Sequence, residues 1–518
     1  MPKIKKESSV GKTSKIEEIK SDFITIASHQ LRTPISAIRW SLDNVLSGKL
    51  GPLTDKQRET LQGAYQSNKF MVKVVGDLLR VADFEEKGIQ LTPQFVDVAA
   101  MIKNALVNCQ EFAAASNCLI SFKTGDNLPK AYIDSPYLES IISSLIDNSI
   151  QYSQAKGKIK ISLKKAKDYL LFEIQDNGIG IPPNQLSLVF TKFFRGSNAM
   201  KAQTEGLGLD LYLAKKIIEA SGGKIEFTSQ KNIKTVFSLY LPIGENQFNH
   251  SNNGLKEKPE EVLKKEREFV SITVHELKAP LGITKWSLEM LKSQKSGKLN
   301  DEQLELIDQV YRGNERLLIL VRDLLNLAKL QEGKFEIESK PIKISTIISD
   351  VITGFSAEAA KKKVAIEWQN KKSSLPPVIA DGNRVAQVIT NLVSNAIKYT
   401  KENGKVIISV EKTTGEKIKK QTAELITAST SYTKNKNGYL VIAVADTGIG
   451  ISPADQKKLF TRFFRSKKVL KSETEGTGLG LYITKSIINL HQGDIWFTSV
   501  LGQGSTFYFS LPIAKNEK

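Results

Sequence analysis

The chain has 518 residues, a formal net charge of +19 and a hydrophobic content of 40%. This length exceeds what one hydrophobic core usually organises, and the apolar content excludes a wholly disordered chain, so we expect several folded domains. The sequence has no run of 18 apolar residues, and no apolar core of signal-peptide type follows its charged N-terminus, which predicts a cytoplasmic protein without a membrane span. The lysines are spread along the chain without an aromatic-interleaved patch, so we expect a solvated basic surface and no nucleic-acid partner.

The sequence repeats itself at the scale of whole domains. Three pairs of segments match, and they begin at Ala27 and Thr273, at Asp176 and Asp446, and at Thr204 and Thr474. A repeat of this length predicts a duplicated multidomain module rather than a solenoid. We call the two copies module one and module two.

In each module, helical apolar spacing comes first, and a mixture of strands and helices follows. The predicted divisions are a disordered N-terminus (1–15), a first hairpin (16–87), a first mixed domain (88–243), a polar linker (244–259), a second hairpin (260–333) and a second mixed domain (334–514). The second mixed domain is longer than the first because it has a basic, polar insertion near residues 413–437. We predict that this insertion is a mobile hairpin loop.

Each hairpin has apolar residues at helical spacing, which predict one buried stripe. The stripes are Leu31, Ile35, Ile38, Leu42 and Val45 in the first hairpin, and Leu277, Leu281, Leu288 and Leu291 in the second. At about 100° per residue, His29 and His275 lie opposite their stripes, so we expect both imidazoles to be exposed. One hairpin cannot bury its stripe alone, so we expect a four-helix bundle, formed either by the two hairpins of one chain or with a second molecule.

The two histidines occupy equivalent motifs, SHQLRTP around His29 and VHELKAP around His275. These motifs resemble the H-box of the sensor histidine kinases, whose dimerisation and histidine-phosphotransfer domain is a helical hairpin. The resemblance implies that the histidines accept a phosphoryl group. Glu276 follows His275, and its carboxylate can accept or orient the other ring proton. Module one has Gln30 in that position, which can orient the ring but cannot take a proton.

Three separated motifs in the second mixed domain predict a nucleotide site. Asn391 and Asn395 fall on one helical face, so both amide oxygens can reach a Mg²⁺ ion. Lys398, which precedes Tyr399, can face the phosphates as a point charge. Asp446 follows an apolar strand and can accept a hydrogen bond from an adenine amino group. Gly448 and Gly450 permit close approach of the base. The later glycines, Gly476, Gly478 and Gly480, precede a helix and present N–H groups to phosphates.

In this order and after an H-box, these motifs resemble the N, G1, F and G2 boxes of the GHKL-type ATPase domain, a sandwich of a mixed sheet against helices. The F-box counterpart is the segment 460–465, FTRFFR. The resemblance implies ATP and Mg²⁺ as cofactors. The predicted fold class is therefore multidomain, with all-α helical hairpins in four-helix bundles alternating with α+β GHKL-type sandwiches.

The first mixed domain keeps part of this pattern, namely Asn148, Asp176, Gly178, Gly180, Gly206 and Gly208. It departs from module two at four positions, where Ser144, Gln151, Leu207 and Asp210 replace Asn391, Lys398, Thr477 and Gly480. Asp210 brings a carboxylate and a Cβ to the expected phosphate cradle, and both are unfavourable for binding an anion. We therefore predict that the first mixed domain is a weak or inactive ATPase.

The resemblance implies autophosphorylation of His275 by ATP and transfer of the phosphoryl group to an aspartate on the receiver domain of a response regulator. In the family, a threonine or asparagine four residues after the histidine positions water for dephosphorylating the regulator. Thr33 occupies this position in module one and Ala279 in module two, so we expect kinase action from module two and phosphatase or scaffold roles from module one. The alternatives are a nucleotide-responsive non-catalytic scaffold and, disfavoured by the H-box, an ATPase of the chaperone or DNA-repair kind.

Overall fold

The computed structural model describes residues 30–153, 156–202, 207–245, 259–331, 333–369, 375–422, 437–466 and 476–514. The chain divides into two compact units, Met1–Leu318 and Ile319–Lys518. Within the described ranges, no helix has the length and hydropathy that crossing a membrane requires.

The first unit contains four long helices and one mixed domain. In chain order its elements are α1 (30–46), α2 (Asp55–Lys87), β1 (Gln94–Val96), α3 (Val98–Asn108), α4 (Gln110–Ala115), β2 (Cys118–Thr124), β3 (Ala131–Ile133), α5 (Ser135–Gln151), β4 (Gly157–Ala166), β5 (Tyr169–Asp176), a 3-10 helix (Pro183–Leu188), α6 (Ser197–Ala202), α7 (Asp210–Ala220), β6 (Lys224–Gln230), β7 (Lys234–Pro242) and α8 (Pro259–Lys292). Helix α9 (Asp301–Gln331) begins in this unit and ends in the second.

The predicted stripes of both hairpins are confirmed, since all nine of their residues are buried. Helix α2 of the first hairpin packs against α8 of the second, so the two hairpins pair within one chain. One buried asparagine also ties each hairpin together: Asn68 Nδ2 donates to the Ile35 carbonyl at 3.2 Å, and Asn314 Nδ2 donates to the Leu281 carbonyl at 3.1 Å. This pairing removes both apolar stripes from water, which a single hairpin could not do.

The turns of the two hairpins bind each other reciprocally. Thr54 Oγ1 and Gln57 Nε2 donate to the carbonyls of Ser296 and Gly297, at 3.0 and 3.1 Å. In return, Asn300 Nδ2 donates to the Leu50 carbonyl at 2.6 Å. Thr54 also caps α2 in a capping box with Gln57. The residues that begin the helices therefore also set the register of one hairpin against the other.

The first mixed domain has a five-stranded sheet of order β2-β4-β5-β7-β6 and a two-stranded sheet of β1 and β3. Strands β2 and β4 are parallel, and the other neighbours are antiparallel. Helix α5 begins at the cap Asp134, whose side chain accepts from the Tyr137 N–H. Its apolar face is buried, from Leu138 to Ile150.

The second unit contains the second mixed domain. Its elements are β8 (Lys340–Ile342), α10 (Ile344–Lys361), β9 (Ala365–Trp368), β10 (Val378–Ala380), α11 (Gly382–Tyr399), β11 (Lys405–Thr413), α12 (Gly415–Thr422), β12 (Tyr439–Asp446), α13 (Pro453–Gln456), α14 (Gly480–Leu490), β13 (Ile495–Val500) and β14 (Gly504–Pro512). The sheet order β13-β14-β12-β11-β9, with β9 and β11 parallel, repeats the topology of the first mixed domain. The predicted fold class, helical hairpins alternating with mixed sheet-and-helix domains, is confirmed.

The insertion of module two differs from the predicted loop in its first part. Residues Gly415–Thr422 form helix α12, and Ile418 on this helix is fully buried against Tyr439 and Trp496 of the sheet. Burial of one isoleucine between aromatic rings anchors a helix that its polar composition alone does not predict. Residues 423–436 lie outside the described residues.

Candidate functional site

Helix α11 carries the polar residues of the candidate site in the second mixed domain. Asp381 caps its N-terminus by accepting from the N–H groups of Asn383 and Arg384. Seven apolar residues between Val385 and Ile397 are buried, so the remaining face presents the predicted Asn391, Asn395 and Lys398. The helix therefore holds these three side chains on a rigid, internally packed element.

The C-terminus of α11 is capped by a lysine from another helix end. Lys362 Nζ donates to the carbonyls of Ile397 and Lys398, at 2.8 and 2.5 Å. A cation at this end compensates the negative end of the helix dipole and the unpaired carbonyls. Lys362 lies in a run of three lysines, 361–363, which the general expectation of a solvated basic surface includes. For this lysine that expectation is wrong, because it satisfies the helix that carries the site.

The two predicted metal-binding amides lie side by side. Asn395 Nδ2 donates to Asn391 Oδ1 at 3.5 Å, and Asn391 Nδ2 donates to Thr484 Oγ1 at 2.9 Å. Thr484, on α14, therefore orients the Asn391 amide so that its oxygen faces Asn395. Sequence reasoning did not identify Thr484, because it has no position in the quoted motifs.

Three cations lie close together at the end of α11. The pKa of Lys398 is lowered to about 8, first by burial and then by the charges of Arg465 and Lys362. A Cβ added to Gly476 would lie 3.2 Å from Lys398 Nζ, so the segment 476–480, which we call the glycine loop, begins close to this ammonium group. A bound anion would relieve the mutual repulsion of these cations.

Asp446 ends β12 and accepts from the Gly448 N–H at 2.8 Å. Burial raises the pKa of this carboxyl. A Cβ on Gly448 would collide with the Tyr399 carbonyl, and a Cβ on Gly450 (φ +64°) would collide with the Val500 carbonyl. Packing against the protein's own backbone therefore requires glycine at both positions. This requirement adds to the prediction that the glycines allow close approach of the nucleotide base.

Gly478 and Gly480 lead into α14. Gly478 has φ +70° and lies against the backbone of Phe463, whereas a Cβ on Gly480 would lie 2.5 Å from Asn391 Oδ1. The N-cap residue Leu479 makes no side-chain capping bond, so the first N–H groups of α14 are available to a ligand. The position of the Asn391 amide therefore requires glycine at position 480, since a side chain there would displace the amide.

The first mixed domain has different residues at the positions of Gly480 and Asn391. Asp210 begins α7, and the smaller Ser144 stands where Asn391 lies in module two. Among the residues that the structure describes, the buried Ser144 Oγ has no hydrogen-bond partner. Asp210 Oδ2 instead accepts from Lys73 Nζ at 3.0 Å, and Gln151 is exposed where module two has Lys398. The two departures therefore occur at positions that lie close together in module two, where a Cβ at position 480 would meet Asn391.

Around Asp176, the first mixed domain has the same geometry as module two has around Asp446. Asp176 accepts from the Gly178 N–H at 2.8 Å, and burial raises its pKa to about 6. A Cβ on Gly178 would collide with the Tyr152 carbonyl, as at Gly448 in module two. Gly180 and Gly208 have positive φ, and Asn148 lies on α5. Gly206 lies outside the described residues.

The phosphoacceptor motifs lie on α1 and α8. His29 lies outside the described residues, and His275 lies in α8 but its side chain is not among those described, so the predicted exposure of both imidazoles stays a prediction. Thr33 is exposed on α1. Glu276 is nearly buried, and its Oε1 lies 3.9 Å from Nη1 of Arg195 in the first mixed domain.

A further contact joins α9 to the glycine loop within the second unit. Thr477 Oγ1 donates to Asp323 Oδ2 at 2.9 Å, and burial raises the pKa of Asp323 to about 6. Module one has Leu207 in place of Thr477 and keeps the carboxylate as Asp77. The sequence signal for this residue is the Asp-Leu-Leu that α2 and α9 share, at residues 77–79 and 323–325.

The domains match two families, each of them twice. The His Kinase A (phospho-acceptor) domain matches residues 19–87 and 265–333, and the histidine kinase-, DNA gyrase B- and HSP90-like ATPase domain matches residues 133–245 and 380–515. The chain belongs to the histidine kinase family. It is a tandem member, with a phosphoacceptor hairpin and an ATPase-type domain in each module.

The similarity of this histidine kinase to known proteins extends over about half of its chain in each comparison. The signal transduction histidine-protein kinase BarA of Escherichia coli K12 is 34% identical over 50% of this chain and 26% of its own length. The sensor histidine kinase WalK of Bacillus subtilis is 32% identical over 49% of this chain and 37% of its own. The solved structure of full-length ShkA in complex with AMPPNP covers 48% of this chain and 46% of its own, with 28% identity and a TM-score of 0.37. The chain thus spans less than half the length of each of these relatives.

Proposed function

We propose that module two phosphorylates His275 with ATP and Mg²⁺ held by the second mixed domain. The observation that carries this proposal is the convergence of Lys398, Lys362 and Arg465 beside a glycine loop. Lys398 is partly buried, and the neighbouring positive charges of Arg465 and Lys362 help to lower its pKa, so this cluster of cations is suited to bind a polyanion. Free N–H groups at the start of α14 add to the same anion site.

The polar groups fit the parts of a magnesium nucleotide. The paired amides of Asn391 and Asn395 present oxygen donors of the kind that Mg²⁺ prefers. Asp446 accepts a hydrogen bond at the end of β12 and would accept one from the adenine amino group. Bound ATP supplies the phosphoryl group, and Lys398 compensates phosphate charge. Glu276 would orient the His275 imidazole and accept its second ring proton.

We further propose that the phosphoryl group passes from His275 to an aspartate on the receiver domain of a response regulator. The family match supports this step, because the hairpins are phosphoacceptor domains and BarA is named for signal transduction. Incubation of phosphorylated protein with purified receivers would test it. Label that leaves the kinase and appears on one receiver at its aspartate supports the transfer, and label that stays on the kinase with every receiver contradicts it.

Incubation with radiolabelled ATP and Mg²⁺ tests the autophosphorylation. We expect acid-labile label, as a histidine phosphoramidate gives, that is lost in His275→Ala, because His275 is the proposed nucleophile of module two. The matched variant His29→Ala separates any contribution of module one. Removal of Mg²⁺ and the variant Asn395→Ala should both abolish the label. Undiminished label in His275→Ala would contradict the proposal.

A second candidate function concerns module one. Thr33 is exposed on α1, four residues after His29, where the family resemblance implies a role in orienting water. We propose that module one dephosphorylates the receiver. Phosphorylated receiver should lose phosphate faster with wild-type protein than with Thr33→Ala. Equal rates would contradict this role, and Ala279→Thr serves as the matched variant in module two.

A further inference from the structure

The first mixed domain reaches the phosphoacceptor motif of the other module. Arg195 Nη1 lies 3.9 Å from Glu276 Oε1, and the two side chains are only 13% and 11% exposed. Arg195 also hydrogen-bonds Tyr152, the residue at the C-terminal end of α5. The guanidinium is therefore held between its own domain and the residue next to His275.

The same domain is also attached to the first hairpin. Lys73 Nζ on α2 lies 3.0 Å from Asp210 Oδ2, and Arg80 Nη1 donates to Ser140 Oγ at 3.1 Å. The rings of Phe84 and Tyr137 pack 5.8 Å apart at the end of α2. The first mixed domain thus contacts both hairpins at once.

The ion pair between Lys73 and Asp210 is specific to module one. The positions of Lys73 and Asp210 correspond to Ile319 and Gly480 in module two, so module two cannot form this ion pair. Asp210 is also the residue whose carboxylate is unfavourable in a phosphate cradle. One substitution therefore removes a feature of nucleotide binding and supplies a docking contact.

We propose that the first mixed domain is an intramolecular clamp on the phosphoacceptor motif of module two. Arg195 is a positioning residue that engages the Glu276 carboxylate, and Lys73 with Asp210 holds the domain in place. An ion-paired carboxylate has fewer free lone pairs for the neighbouring imidazole. A domain that brings ATP to His275 must first displace Arg195 from Glu276. This inference rests on the proposed phosphorylation of His275.

Charge reversal across the ion pair tests the clamp in the full-length protein. Lys73→Glu and Asp210→Lys should each raise the initial rate of His275 labelling about two- to fivefold, because a partly exposed ion pair contributes modestly. The double variant Lys73→Glu/Asp210→Lys recreates the pair with reversed charges and should return the rate towards that of the wild type. Labelling is measured on the His275 peptide, which separates it from His29.

Substitution of Arg195 tests its action on Glu276. Arg195→Ala should raise kcat at least about fivefold and leave KM for ATP unchanged, because the second mixed domain is untouched. Arg195→Lys keeps the charge and should raise kcat less. A general structural defect would not raise kcat while leaving KM unchanged. Nor would a general defect in Lys73→Glu or Asp210→Lys be reversed when the two changes are combined.

The outcomes separate the clamp from the proposed function. Equal or reduced rates in Lys73→Glu, Asp210→Lys and Arg195→Ala, with His275 labelled in the wild type, would overturn the clamp and leave the phosphorylation intact. Absence of label on His275 in the wild type and every variant would overturn the phosphorylation, and with it a clamp that has no reaction to restrain.

Discussion

The two mixed domains share one end of the candidate site and differ at the other. Asp176 and Asp446 both accept from a glycine N–H at 2.8 Å, and both are followed by glycines that pack against backbone carbonyls. At the other end, where we expect the phosphates, a Cβ on Gly480 would meet Asn391 in module two, and module one has Asp210 and Ser144 at the equivalent positions. The difference indicates that a duplicated fold can keep its backbone-packing positions while the positions expected to bind an anion change together.

The carboxylates Asp77 and Asp323 show a second difference. Thr477 donates a hydrogen bond to Asp323 in module two, and Leu207 offers none to Asp77. Burial, followed by the nearby Asp210, raises the pKa of Asp77 to about 7, whereas that of Asp323 is raised to about 6. Loss of one hydroxyl and gain of one carboxylate therefore leave Asp77 harder to ionise.

The largest expected effect comes from making module two resemble module one. Gly480→Asp should weaken ATP binding about 100-fold or more, because its Cβ would meet Asn391 and its charge would oppose the phosphates. Titration of the full-length protein with a fluorescent ATP analogue measures the change. Gly480→Ala separates the steric effect from the charge, and unchanged affinity in both variants would contradict our account of the site.

Asp77→Asn should stabilise module one at pH 8 by about 2 kcal/mol. The native pKa lies above the unfolded value, so the native state loses stability as pH rises from about 4 to 7, and the uncharged amide avoids that loss. Urea unfolding at pH 8 and pH 4 should show the gain only at pH 8. Asp323→Asn is the matched variant, and we expect a smaller gain because Thr477 already supports that carboxylate.

The affinity of module two for ATP should fall about tenfold as pH rises above 8. The free protein holds Lys398 at a pKa of about 8, and phosphates would raise it, so binding is strongest below pH 8 and weakens as pH rises through it. Lys398→Gln should bind more weakly and lose this pH dependence. A wild-type affinity that is constant between pH 7 and 9 would contradict the role of Lys398.

The smallest expected effect is an energetic coupling of about 1 kcal/mol between positions 144 and 210. Ser144→Asn alone should destabilise module one, because Asp210 fills the space that the amide needs. Ser144→Asn/Asp210→Gly should be less destabilised than the sum of the single variants and should gain measurable ATP binding. Urea unfolding provides the double-mutant cycle, and strict additivity would show that the two positions are independent.

Much of the fold could be predicted from local patterns. The stripe from Leu31 to Val45 follows helical spacing, and a buried helix face requires only that spacing. The insertion was predicted less well, because the helix at Ile418 depends on packing against Tyr439 and Trp496, which the insertion's own composition does not reveal. The same limit applies to Lys362, whose acceptors are carbonyls more than thirty positions away.

The sequence by itself determined the duplication, the helical stripes, the motif order and the departures at Ser144 and Asp210, since each is a matter of residue identity or short-range period. Only the tertiary structure decided that the hairpins pair within one chain, that Thr484 orients Asn391, and that Arg195 meets Glu276. Such contacts join residues far apart in the chain. Their geometry depends on how whole elements pack, and no local pattern of residues encodes that packing.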